Sequence, residues 1–300
     1  MLNCITSDKR RLSLRTALQN KRCLRVLEAH SPISALLVEK TCIRDEQSHE
    51  IISYDGLWSS SLTDSTERGK PDIEALNIPC RLANIHEIFE VTTKPLIMDG
   101  DTGSRPEHFK LNVCSLECIG VSAIVIEDKI GLKRNSLLGN KVVQQQATIQ
   151  EFCHKIGEGK TSQMTGDFMI IARVESLILK AGMNDALKRA FAYVEAGADG
   201  IMIHSRQKNG HEVKEFAQRF RDQYSDLPLV CVPTSYAQTY FSDLEKAGFN
   251  IVIYANHMLR SAYLAMQRTA THILKYGRTL ETEGSCLSIK EILELIPGTQ

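Results

Sequence analysis

Eight short apolar runs, each followed by polar or glycine-bearing residues and then a stretch of helical period, predict an α/β chain closed into a (β/α)8 barrel of the TIM type. The runs cover residues 23–28, 52–58, 95–98, 123–126, 169–174, 200–203, 228–232 and 251–254. They are rich in β-branched residues without polar alternation, the pattern of parallel strands covered on both faces. Three helix-to-strand joints, at 117–126, 195–203 and 245–253, resemble one another. Each carries a glycine just past the helix (Gly120, Gly197, Gly248), where a left-handed cap is easiest for a residue without Cβ. This weak repeat supports iterated βα units and says nothing about chemistry.

Taken in order, residues 1–21 contain Lys9, Arg10, Arg11 and Arg15 but no apolar core of a targeting signal, so they read as an amphipathic leading helix. Residues 22–279 are expected to form the barrel. The helix after the fifth run is expected at 184–195, with Leu187, Ala190, Phe191 and Val194 at helical spacing and Asn184 as N-cap. A longer helix, 258–275, follows the eighth run, with Leu259, Ala262, Tyr263, Met266 and Ile273 apolar; it packs on its own barrel or reaches a partner. Residues 59–77 and 129–142 are the longest polar connections, and loops of that length over a barrel are usually lids or binding loops. Residues 280–300 read as a helical appendage. No linker or low-complexity tract divides the chain, so one domain is the economical reading.

Composition narrows the function classes. Lys plus Arg and Asp plus Glu number 36 each, a net charge of +0, so no general attraction to nucleic acid or to a membrane surface is expected. The nine cysteines are scattered without a C-x-x-C pair, which points to reduced thiols and a cytoplasmic protein. Cys114 and Cys118 share a helix face but lack further ligands nearby, and core packing explains them. No run approaches the roughly 20 apolar residues of a membrane span.

The chemistry concentrates where strands end. Asp99 and Asp101 close the third run and Glu127 the fourth, and period-2 alternation puts Asp99 and Asp101 on one side. In a parallel barrel these ends face one crevice, and a hard, all-oxygen donor set there suits Mg²⁺. An isolated D-x-D more often caps a turn, and Glu127 or Asp128 beside Lys129 is also a simple ion pair; two acidic strand ends in one barrel favour the metal. Gly131, Lys133, Arg134, Asn135 and Ser136 follow on a loop whose cations and donors fit a phosphate or carboxylate substrate, although charged loops are commonly just solvated. Arg173 ends the fifth run beside Glu175, as an anion grip or as a structural ion pair. His204 ends the sixth, as a ligand-facing or a satisfied core histidine. Asn256 and His257, at the eighth, read as supporting residues or a helix cap.

Glu127-Asp128-Lys129, five residues and then Asn135-Ser136 resemble the E-D-K-x5-N-S pattern of the phosphoenolpyruvate mutase family, in the isocitrate lyase/phosphoenolpyruvate mutase superfamily. The resemblance runs from about residue 22 to about 260 and includes Glu28-Ala-His30, Gly56-Leu-Trp58, Asp99-Gly-Asp-Thr-Gly103, Ala172-Arg-Val-Glu175 and Ala255-Asn-His257. It implies an isomerase that interconverts phosphoenolpyruvate and phosphonopyruvate, moving a phosphoryl group between the enol oxygen and C3. It further implies Asp99 as direct Mg²⁺ ligand, with Asp101 and Glu127 holding the ion's waters. Trp58, Ser60, Ser61 and Leu62 would line the pocket, the amides of Ser61 and Leu62 holding the pyruvyl oxygen, and Asp72 matches an acidic pocket residue. Arg173 and His204 would grip the anionic substrate, while Lys133, Asn135, Ser136 and Leu137 close over it.

Ser61 stands where glycine is usual, and Gly100 and Tyr254 where alanine and tryptophan are familiar. The near alternative is phosphonopyruvate hydrolase, whose loop carries threonine in place of Asn135. C–C lyases and oxaloacetate-processing members are the next, but the lyases use a loop cysteine that residues 129–137 lack. A non-catalytic scaffold is disfavoured by the intact Asp99, Asp101, Glu127, Lys133 and Arg173. The resemblance also implies exchange of the eighth helix between subunits of a dimer or tetramer. An uphill forward reaction implies coupling to phosphonopyruvate decarboxylase or another downstream enzyme.

Overall fold

The computed structural model describes residues 4–46, 49–141, 143–296 and 298. Eight parallel strands, labelled here β1 to β8, close into a barrel in sequential order: Leu24–Glu28, Gly56–Ser59, Leu96–Asp99, Ala123–Glu127, Met169–Val174, Gly200–Ile203, Leu229–Cys231 and Ile251–Tyr254. Their order is the one expected of repeated right-handed βα units. Around them lie α2 (Pro32–Lys40), α3 (Ser61–Glu67), α4 (Ile78–Phe89), α5 (Pro106–Ile119), α6 (Ile149–Ser162), α7 (Met183–Glu195), α8 (His211–Arg221) and α9 (Phe241–Lys246), after α1 (Ser7–Asn20) at the start. The three joint glycines adopt φ of 95°, 100° and 103°, the left-handed conformation their spacing predicts.

Alternation along each strand sorts the side chains into two cores. Leu27, Leu57, Met98, Ile124, Ile170 and Val252 face the helices. Leu24, Val26, Ile97, Val125, Ile171, Met202, Val230 and Ile253 fill the barrel interior. One step further along the inward face stand Glu28, Asp99, Glu127, Arg173 and His204, so apolar layers below give way to a charged layer at the C-terminal rim.

The leading helix forms over Ser7–Asn20 as expected, with Leu14 buried and Ala17 and Leu18 packed against the interior core, and its inward face also buries Arg10 and Arg11. Arg10 donates to the carbonyls of Lys94 (2.9 Å) and Phe89 (3.1 Å), Arg11 to that of Glu117 (2.5 Å), and Arg15 to that of Asp167 (3.1 Å). Leu14 joins the interior core. The guanidinium groups thus bind main-chain carbonyls at the ends of α4 and α5 and before the strands that follow, and α1 covers the N-terminal end of the barrel.

Further boundaries differ from expectation. The run at 52–58 is two elements: Ile51–Ser53 pairs antiparallel with Cys42–Arg44 outside the barrel, and Gly56–Ser59 alone joins it. Between them Asp55 turns the chain, donating its amide to the Arg25 carbonyl and accepting the Arg25 amide. Helix α7 has Gly182 at its N-cap, and Asn184 lies inside it, accepting from Arg219 at 2.9 Å. The connection at 59–77 contains α3. The long helix α10 (His257–Tyr276) has no buried residue and leaves Tyr263, Leu264, Met266 and Leu274 exposed, while its first amides, those of Met258 and Leu259, donate to the buried Glu28 carboxylate at 3.0 and 3.2 Å. A short 3-10 turn and α11 (Ile289–Leu295), with a Ser288/Glu291 capping box, follow. The nine cysteines are free, and among the described residues no helix is long and apolar enough to cross a membrane.

Gly100 sits where β3 gives way to its loop. A Cβ there would stand 2.6 Å from two carbons of Ile124 and 2.9 Å from the Val125 carbonyl oxygen, so the space beside this glycine is filled by Ile124 on β4. Gly100→Ala should lower stability by about 1–3 kcal/mol, the usual cost of overpacking, read as a shift of the urea midpoint; an unchanged midpoint would show that Ile124 yields freely.

Candidate active site

The rim charges converge. Asp99 and Glu127 project from the ends of β3 and β4, Arg173 from β5, and His204 follows β6; all are at least nine-tenths buried. Glu127 and Arg173 are register partners on adjacent strands, which brings their side chains to an ion pair at 3.2 Å. Arg173 also pairs with Glu175 at 2.6 Å, and Lys129 lies 3.2 Å from Glu127 and 3.4 Å from Glu175. Both bland expectations for these pairs are therefore true, and both pairs belong to the cluster.

The loop after β4 is folded down onto this rim. The Lys133 ammonium ion-pairs with Asp72 and Asp101 and donates to Ser61 Oγ at 2.5 Å, and that hydroxyl donates to Asp99 Oδ2 at 2.9 Å. Asn135 Nδ2 donates to Asp72 Oδ2 at 2.7 Å, and its Oδ1 accepts the Leu137 amide at 3.0 Å. Ser136 Oγ donates to Glu175 Oε2 at 2.5 Å while Arg173 Nη2 and Lys129 Nζ donate to it at 2.6 and 2.9 Å. Under the loop a cavity of about 60 Å³ is lined by Trp58, Ser60, Leu62, Glu127, Lys133, Asn135, Ser136, Leu137, Arg173, His204 and neighbours from the last strands. The Trp58 indole N–H is buried there with no acceptor. A larger groove, about 1060 Å³ along α1, α8 and α9, holds no such buried cluster, and chemistry favours the smaller cavity.

The electrostatics are unbalanced in a way that invites a cation. Burial, and then nearby Asp99, push Asp101 up to about 6. Burial pushes Glu127 up to about 7 against the opposing pull of Arg173 and Lys129. Asp99, despite burial, is held below the usual carboxylate range by Lys133, Arg173 and Arg81. Glu175 is held low in the same way by Arg173 and Lys129. Burial and then the Arg173 charge push His204 down to about 3, leaving a neutral imidazole.

Glu127 Oε1 is buried without a hydrogen bond. Among the described residues no three His, Cys, Asp or Glu side chains draw close enough to chelate an ion directly. An all-oxygen set, spread apart and under-neutralised, fits a hard cation that keeps several of its waters, with few direct carboxylate ligands.

The candidate catalytic, binding and metal residues lie at this rim or on the loops over it. Leu137, at 43% exposure, stands at the mouth, and Asp72 acts on the loop. Asp101 reaches the cluster through a left-handed backbone (φ 54°), which β alternation does not foresee. Ser61 turns its hydroxyl to Asp99 and Lys133, and half-buried Tyr254 faces outward beside Arg25 and Tyr54. The sequence reading passed over Arg81, buried beside Asp64 and Ser59 beneath the Asp99 loop, and gave Glu28 no role.

A family model described as phosphoenolpyruvate phosphomutase matches residues 14–274. Phosphoenolpyruvate phosphomutase of Tetrahymena pyriformis is 33% identical over 97% of this chain and 92% of its own length. Phosphonopyruvate hydrolase of Variovorax sp. (strain Pal2) is 36% identical over 94% and 93%. Among solved structures, phosphoenolpyruvate phosphomutase from Streptomyces platensis subsp. rosaceus superposes with a TM-score of 0.87 at 32% identity, covering 97% of this chain and 95% of that one. A phosphonopyruvate hydrolase in complex with oxalate and Mg²⁺ superposes with a TM-score of 0.82 at 34% identity over the same shares. A match running through the barrel and relatives of this identity over nearly the whole length show that the chain belongs to the phosphoenolpyruvate phosphomutase family of enzymes.

Proposed function

We propose that this chain is a Mg²⁺-dependent phosphoenolpyruvate mutase that makes and breaks the carbon–phosphorus bond of phosphonopyruvate. The observation that carries the reading is the latch between Asn135 and Asp72, 2.7 Å, on a loop already bound through Lys133 and Ser136 to the rim beneath it. A phosphoryl group in transit passes through a loose, metaphosphate-like transition state that water would intercept. A mutase therefore needs a closed, dry cavity, and a hydrolase needs a water in it.

In this reading Asp99 holds the cation directly and Asp101 and Glu127 hold its waters. Bound there, Mg²⁺ supplies charge stabilisation to phosphoryl and enolate oxygens. That a phosphonopyruvate hydrolase of 34% identity is solved in complex with oxalate and Mg²⁺ supports Mg²⁺ as the ion. Arg173 supplies fixed positive charge for the anionic substrate, and neutral His204 a hydrogen bond without charge. The amides of Ser61 and Leu62 open α3, where helical amides have no partner within the helix; that of Ser61 donates to Asp99 Oδ2 at 3.4 Å here, and the pair would turn to the pyruvyl oxygen of a bound substrate. Trp58, Ser60, Leu62 and Leu137 shape the cavity, and Lys133, Asn135 and Ser136 hold the loop closed with Asp72. Such positioning, rather than covalent chemistry, carries phosphoryl transfer.

The hydrolase reading keeps one specific support, the 36% identity to the Variovorax enzyme. We also infer a dimer or tetramer in which α10 packs on a partner barrel, because the helix buries nothing on its own. Net phosphonate formation then draws on a downstream enzyme such as phosphonopyruvate decarboxylase.

With Mg²⁺ and phosphonopyruvate, phosphorus NMR should show a growing phosphoenolpyruvate signal; inorganic phosphate with pyruvate alone would establish the hydrolase instead. Asp99→Ala should reduce Mg²⁺-dependent turnover to background, and an unaffected rate would remove Asp99 from the metal site. Sedimentation at micromolar concentration should give a dimer or larger; a monomer would refute the exchange of α10.

A further inference from the structure

The ladder between β2 and β3 ends at the register pair Ser59 and Met98. Beyond it the two chains part, one turning into α3 with Ser60, Ser61 and Leu62, the other into the loop of Asp99 and Asp101. Arg81, in the first turn of α4 and 2% exposed, occupies the fork between them. Its Nη1 donates to the main-chain carbonyl of Asp99. Its Nη2 donates to the Ser59 carbonyl at 3.1 Å and to Ser59 Oγ at 3.0 Å. Its Nε donates to Asp64 Oδ2 at 3.0 Å, and the same oxygen accepts from Ser59 Oγ at 2.7 Å.

Neutralising Asp64 would require one edge of the guanidinium. The other edge grips main-chain oxygens on both strands, a geometry that a planar fork provides and an ammonium does not. Nη1 is also 3.9 Å from Asp101 Oδ2.

We propose that Arg81 is the positioning residue that sets the cation-binding arm, Asp99 and Asp101, against the substrate-lining arm, Ser60 to Leu62, so that divalent-cation affinity depends on it. The proposal rests on the metal reading above. Arg81 acts through the peptide group that carries Asp99, not through the ion. Its charge works the other way, since a fixed cation beside Asp101 repels an arriving one. Position and charge therefore predict different outcomes. Arg81→Lys keeps the charge and loses the fork, so a role in position weakens cation binding and a role in charge alone leaves it unchanged.

The test is a Mn²⁺ titration of the full chain, read from the electron paramagnetic resonance of the free ion, with thermal melts of the same samples. Arg81→Lys should raise the half-saturating Mn²⁺ by about tenfold or more, the usual effect of removing a group that orients a metal ligand. Ser59→Ala, which removes one hydroxyl from the fork, should raise it by a smaller factor while the fold is retained. A lowered melt with wild-type half-saturation in Arg81→Lys would make the residue merely structural and overturn the proposal; where Arg81→Lys does not fold, wild-type half-saturation in Ser59→Ala overturns it. A wild-type chain that binds no Mn²⁺ overturns the metal reading and this one with it, whereas binding that both variants leave intact overturns the role of Arg81 alone.

Discussion

The rim of this barrel is governed by the cost of burying acids. Asp99, Asp101, Glu127, Asp128 and Glu175 are all withdrawn from water on adjacent strand ends and their loops. An unpaired buried carboxylate costs several kcal/mol, so the surrounding chain is arranged around supplying cations and donors. Arg173 comes from a strand, Arg81 from a helix, and Lys129 and Lys133 from the loop above. Asp128 is accommodated differently, by Tyr193 at 2.7 Å, Gln146 at 2.8 Å and the Glu175 amide at 3.0 Å, which ties neighbouring strands together beneath the cluster. The position of the loop follows from this electrostatic demand as much as from any contact of its own.

Much of the architecture was legible because parallel strands buried on both faces announce themselves as unbroken apolar runs. The same property hid which residues point inward. Alternation is invisible where both faces are apolar, and only at the C-terminal ends, where polar residues break the run, does the inward face become readable. Asp99, Glu127, Arg173 and His204 were found there for that reason. The run at 52–58 reads as one strand because the apolar Ile51-Ile52 of the hairpin and Leu57-Trp58 of the barrel are separated only by a short segment, and the turn at Tyr54-Asp55 carries no glycine or proline. Arg81 left no local trace: its partners lie at Ser59, Asp64 and Asp99, and nothing in Pro79-Cys80-Arg81-Leu82 marks a buried guanidinium. The leading helix buries its apolar Leu14 as an amphipathic helix does, but that Arg10 and Arg11 lie buried beside it depends on main-chain carbonyls at residues 89, 94 and 117, far away in the sequence.

Two of the three departures from the family wording have physical counterparts. Gly100 leaves the space that the Ile124 side chain on the next strand occupies, so a methyl group at 100 would collide with it. Ser61 adds a hydroxyl where a bare backbone is usual, and that hydroxyl links Lys133 to Asp99. The outward-facing Tyr254 lies away from both.

The arginine-lined plug formed by α1 has a kinetic consequence. With the interior filled by apolar side chains and Leu14 packed beneath them, the barrel can admit a ligand only at its C-terminal rim. Substrate, product and stray solvent must share that opening. Under the mutase proposal one loop movement sets both turnover and fidelity: a variant that opens sooner would release product faster while admitting water to the phosphoryl group in transit.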